Sequence, residues 1–161
     1  MAYTGWLAGM RTTAARLNLI SGIWTPYTPT WTASTGAAPV LGAGATLEGE
    51  YALTGGLCRV RISLVGSAAT TWGGGQFRFA LPFASASLAH ASMAYTGSAL
   101  ALDPGGAYYP GVSRILSGDA FVMALSPTSA TGATAGEWNA SRPIAWGNTD
   151  NLSLSIAYKP V

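Results

Sequence analysis

Charge is scarce in this chain: only 9% of its 161 residues are Asp, Glu, Lys or Arg, against roughly a quarter in an average soluble domain. A surface so poor in charge must be covered by small hydroxylated and aliphatic residues, a composition suited to faces buried against neighbouring subunits. The eight basic and six acidic residues are scattered, with no run and no basic stripe of the kind that neutralises phosphates, so nucleic acid is not an expected partner. Arg59, Arg61 and Arg78 come nearest to a basic cluster, and alternate positions of a strand read as a solvated face.

Cysteine is nearly absent. The single Cys58 excludes an internal disulfide framework, and its apolar neighbours predict a buried thiol rather than a nucleophile. No stretch approaches the roughly 20 apolar residues of a membrane helix, and Met1 to Met10 has neither the basic start nor the apolar run of an export signal. Synthesis in the cytoplasm, and retention there until something else releases the chain, are expected. With one histidine and no second cysteine, no metal site is predicted, and no cofactor.

What is present is apolar and aromatic: 49% hydrophobic residues, six Trp and seven Tyr, with 21 Gly. That is a folding composition, and the length suits one domain with one core. Residues 1–23 stand apart, because Thr12-Thr13-Ala14-Ala15-Arg16-Leu17-Asn18 predicts one or two helical turns behind a threonine cap. Helix that short needs support from another surface, so the segment reads as an arm or anchor. Residues 24–161 read as strands. Thr30-Trp31-Thr32 and Thr46 to Leu53 are expected strands, and Gly55-Gly56 turns the second into Leu57 to Val65, with Cys58, Val60, Ile62 and Leu64 on one face. Gln76 to Leu81 alternates likewise, as does Asn151 to Tyr158. Ala89 to Tyr95, Leu100 to Leu102, Tyr108 to Ile115 and Ala120 to Leu125 are further strands, with turns at Thr96-Gly97-Ser98 and Asp103-Pro104-Gly105-Gly106. Short strands at this spacing, with glycine-rich turns, predict an all-β fold: an antiparallel β-sandwich, jelly-roll-like, with a short N-terminal arm.

Chemistry-bearing patterns are thin. Glu48 and Glu50 share a strand face, an i, i+2 pair that discourages edge aggregation more readily than it holds a cation. His90 with Asp103 or Asp119 would be needed for a triad, without the strand-turn-helix nucleophile elbow. Trp72-Gly73-Gly74-Gly75 lacks the Lys-Ser/Thr ending of a phosphate loop and reads as a flexible strand connection. Trp72, Tyr108, Tyr109, Trp138 and Trp146 fall in or beside loops, where aromatic rings stack on sugars, anchor interfaces or turn into the core. A non-enzymatic role follows.

Trp24-Thr25-Pro26-Tyr27-Thr28-Pro29-Thr30-Trp31-Thr32-Ala33-Ser34-Thr35, then Leu41-Gly42-Ala43-Gly44, Leu47-Glu48-Gly49-Glu50-Tyr51 and Gly75-Gln76-Phe77-Arg78-Phe79-Ala80-Leu81-Pro82, resembles a module of β-rich virion surface proteins from actinobacterial tailed phages. Ala8 to Asn18 is similar to the leader that precedes it, so the resemblance covers roughly residues 8 to 83. It implies a structural protein of the virion surface, either capsid decoration or head fibre, or a minor tail or fibre protein. The chain's length points to head decoration, with a receptor-binding tail module contacting host glycans as the alternative. A homo-oligomer, preferably a trimer, is expected, with the major capsid protein or another virion protein as partner. Trp6, Leu7, Arg11, Arg16, Leu17 and Trp24 are the expected anchor contacts, because that amphipathic segment cannot bury its apolar groups alone. Trp72, Tyr108, Tyr109 and Trp138 are the expected glycan or interface aromatics.

Overall fold

A computed structural model describes residues 22–127 and 135–161, together with Arg11, Thr13, Ala14, Ala15 and Leu17. Ten strands lie among the described residues: β1 (Thr25–Tyr27), β2 (Trp31–Ala33), β3 (Thr46–Thr54), β4 (Leu57–Val65), β5 (Phe77–Ala80), β6 (Ala94–Asp103), β7 (Ala107–Leu116), β8 (Phe121–Pro127), β9 (Ala135–Glu137) and β10 (Asn151–Tyr158). All pairings between them are antiparallel. The β3–β4 hairpin turns at Gly55-Gly56, both at positive φ, as a twist-matched two-residue turn requires.

The strand order is β1-β3-β4-β10-β6-β7-β8-β5-β2, with β9 extending the pairing of β8. Its first and last members, β1 and β2, are separated in sequence only by Thr28, Pro29 and Thr30. Four virtual bonds span at most about 14 Å, so the sheet must roll until its two ends meet. Hydrogen bonds fasten the closure: the Tyr27 hydroxyl of β1 donates to Ala80 O of β5 at 3.3 Å, and Ala80 N to Thr30 O at 2.9 Å. The all-β class is as expected, and the two layers of the sandwich are parts of one curled sheet.

The core lies inside the roll. Cys58, Val60, Ile62 and Leu64 of β4 face Leu152, Leu154, Ile156 and Tyr158 of β10 on the same inner surface, all buried. An aromatic column fills the centre. Trp138 meets Trp146 at 6.1 Å, Trp146 stacks on Trp72 at 5.0 Å, and Trp72 meets Trp31 edge-on at 5.5 Å. Small residues make room for it: a Cβ on Gly111 of β7 would stand 2.6 Å from Trp138 Cζ2. Volume is thereby balanced between a bulky set of rings, three from loops and Trp31 from β2, and strands that present Gly and Ala inward.

Some sequence expectations need correction. Thr96-Gly97-Ser98 is no turn; it lies within β6, a single strand where two were expected. The glycine has a packing reason. β6 stops pairing with β10 after Ser98–Ser155, and the Ser113 hydroxyl of β7 crosses the space above Gly97 to donate to the stranded Ser155 O at 2.9 Å. Ala89 to Met93 is loop, with β6 beginning at Ala94. Gly73 to Gly75 is packed rather than free: Gly74 N donates to Ala37 O, and Gln76 N to Ser34 Oγ, both at 3.0 Å. Ala14, Ala15 and Leu17 are helical, Leu17 N donating to Thr13 O at 3.0 Å. The rest of the expected arm lies outside the described residues.

Candidate interaction surface

The groups that would carry catalysis are dispersed. His90 is exposed and its Nδ1 sits 2.6 Å from Ser92 Oγ. Asp103 accepts a hydrogen bond from Gly105 N at 2.8 Å, inside its own turn, and Asp119 lies in the field of Arg78 and Arg114. Glu50 pairs with Arg61 at 3.2 Å, both side chains well exposed, an arrangement worth about 1 kcal/mol or less. Glu48, on the same face, borders an open groove of about 750 Å³ beside β1, lined also by Tyr27, Leu47 and Ser63. Among the described residues no three His, Cys, Asp or Glu side chains converge as metal ligands would. Burial pushes the Cys58 thiol and the Tyr27 and Tyr158 phenols above their ordinary pKa values, which keeps the thiol protonated and unreactive.

The expected aromatic set divides. Trp138 is 0% exposed, so it serves the core and offers no stacking platform. Trp72 is half-buried within the same column, and Tyr109 is half-buried against the core. Tyr108, 68% exposed, remains open on the surface. Among the expected anchor residues, Arg11 and Leu17 are exposed, while Trp24 is half-buried with the Arg61 guanidinium 4.4 Å above its ring. Trp6, Leu7 and Arg16 lie outside the described residues.

The strongest surface feature was not anticipated. In β6 the size pattern is inverted: Ala99 and Ala101 face the core, while Leu100 and Leu102 point outward. Their cross-strand partners continue the outward patch. Leu102 opposes Tyr108, Leu100 opposes Pro110, and Ser98 opposes Val112 on β7; Leu100 also opposes Ser153, and Leu102 Asn151, on β10. Further out, Asn151 opposes Val65 on β4, and Val112 opposes Leu125 on β8. Leu100 is 38% and Val112 44% exposed. Five strands at about 4.8 Å spacing make the patch roughly 19 Å wide. It carries no charge, with Arg61 bordering one side and the Arg114–Glu137 pair, at 2.8 Å, the other.

Fold and surface thus define an all-β domain built around a rolled sheet with a broad neutral outer face. Over 118 aligned residues the chain is 33% identical to the Mu-like prophage FluMu defective tail fiber protein of Haemophilus influenzae, a match covering 70% of this chain and 17% of that protein. The chain therefore spans about a sixth of the length of the curated relative it matches. No protein-family model and no solved structure matches it. The similarity supports a phage structural protein. It favours the tail reading over head decoration, and it lends nothing to an actinobacterial source.

Proposed function

We propose that this chain is a non-enzymatic structural domain of a phage tail fibre, exposed on the virion and assembled with copies of itself through the neutral face of β10, β6 and β7. The inverted pattern of β6 carries the reading: a strand that keeps Ala inside and Leu outside is shaped for burial on both faces. A neutral face meets its own copy without setting like charges opposite one another, which suits a closed symmetric ring. Apolar area then contributes about 25 cal/mol per Å² removed from water. A trimer is the arrangement we favour, and the tail-fibre relative supports this placement over a capsid-bound one.

The test is the mass of the intact protein in solution by light scattering. The wild type should run as an oligomer, at three times the 16.4 kDa chain mass if trimeric. Leu100→Lys with Val112→Lys, both at exposed positions of the free domain, should weaken association by roughly 100-fold or more, because buried unpaired ammonium groups cost several kcal/mol. An unchanged circular dichroism melt would confirm that the variant's fold is intact. A wild type that stays at one chain mass at tens of micromolar, or a variant that still assembles, would reject the interface.

A further inference from the structure

A second surface differs from the neutral face in being rich in charge. Phe79 and Ala80 of β5 pair with Val122 and Phe121 of β8, which sets Arg78 beside Met123 in the same register. On the other side of β8, Met123 pairs with Arg114 of β7. The two arginines therefore flank one outward-facing methionine, which is only 3% exposed. Arg78 lays its guanidinium 4.4 Å above the Phe121 ring.

The hydrogen-bond inventory around this pair is incomplete. Arg114 donates to Glu137 Oε1 at 2.8 Å, and Gln76 donates to Glu137 Oε2 at 3.1 Å, so that carboxylate is engaged at both oxygens. Among the described residues Arg78 has no carboxylate within 4.0 Å and no side-chain hydrogen bond, and the Nε of both arginines is buried without an acceptor. Asp119, nearby, has its acidity weakened by burial, which the two arginines only partly offset. The buried Nε is closed to a ligand, but a guanidinium fixed on an aromatic face, whose terminal Nη donors bond no described side chain, is preorganised for an oxyanion. A bare anion would meet Glu137 and Asp119 as like charges, whereas those carboxylates and the Gln76 amide are suitable partners for hydroxyl groups.

We propose that Arg78 and Arg114, with Gln76, Asp119 and Glu137, form a binding site for an acidic sugar, whose carboxylate or phosphate engages Arg78 and whose hydroxyls reach the flanking carboxylates. The choice of a sugar as the carrier rests on the tail-fibre reading, in which the exposed domain faces host surface polysaccharide. The site itself is read from its own side chains.

The experiment is a titration of the intact, isotopically labelled protein with glucuronate, glucose 6-phosphate and neutral glucose, followed by amide and arginine Nε resonances. Glucuronate or the phosphate sugar should give saturable shifts at Arg78, Phe121 and Met123 at millimolar concentration, and the comparison of the two identifies the acid group. Neutral glucose should bind at least about tenfold more weakly. Arg78→Met, which keeps an unbranched apolar side chain beside Phe121 and removes the guanidinium, should abolish those shifts with the melting temperature retained, and Arg61→Gln on the other side of the roll should leave them unchanged. Asp119→Asn, which removes a repelling charge, should tighten acid binding and serves as the readout if Arg78→Met does not fold. Equal shifts with neutral glucose, shifts that ignore these substitutions, or no shifts at all would overturn the site. Because binding is read on the protein alone, its failure leaves the assembly reading to its own test.

Discussion

Trp138→Ala should be among the most damaging single substitutions in this chain, costing about 3–5 kcal/mol of unfolding free energy. Trp138 is completely buried, its ring lies against Trp146 and the bare backbone of Gly111, and its main chain is tied on both sides. Its N–H donates to Ala124 O at 2.8 Å and its carbonyl accepts from Phe77 N at 2.9 Å. Strands β5 and β8 therefore both hold the residue, and the cavity left by alanine has little freedom to collapse. Against a typical total of about 5–15 kcal/mol, the loss leaves a marginal domain. Trp138→Phe should cost much less, since the indole N–H has no partner and removing it also removes a buried unsatisfied donor worth about 1–3 kcal/mol. Urea denaturation followed by tryptophan-independent circular dichroism measures both. A loss below about 1 kcal/mol for the alanine variant, far short of the usual range, would mean that the ring does not occupy the core.

Gly97→Val should prevent folding. A Cβ at this position would collide with Ser155 O, stand 2.6 Å from Ser113 Oγ and 2.9 Å from the Ile156 Cα. Two of these are backbone atoms of β10, so relief demands that β6 and β10 separate and that Ser155 O lose the Ser113 hydroxyl. Even alanine should cost about 3 kcal/mol, the upper range for overpacking. Alanine at Gly55 should be far milder: nothing stands within 4 Å there, and only its positive φ opposes the change. Soluble yield and thermal midpoint check the pair, and a well-folded Gly97→Val protein would contradict the described junction of β6 and β10.

Strands that separate an apolar from a polar face were legible from sequence. Leu57–Val65 and Asn151–Tyr158 form strands with those bounds, because Arg59, Arg61, Ser153 and Ser155 contrast sharply with the aliphatic residues between them. β6 offers no such contrast. Its Ala-Tyr-Thr-Gly-Ser-Ala-Leu-Ala-Leu-Asp run is apolar on both faces near its end, and a glycine in its middle imitates a turn. The larger residues there face outward because the interior is already filled by Trp138, Trp146, Trp72 and Trp31, rings delivered by distant segments whose destination local periodicity cannot encode. The same long-range packing hid the fate of Trp138. The arginine site was illegible for a related reason: Arg78 and Arg114 are 36 positions apart in the numbering, and only the pairing of β5 and β7 with β8 brings them to either side of Met123.

The placement of this chain on a virion is tested most directly by immunogold labelling of intact particles that contain it, with an antibody raised against the whole folded chain. Gold on the tail and its fibres is the expected result. Gold distributed over the head would contradict it and restore the capsid-decoration reading.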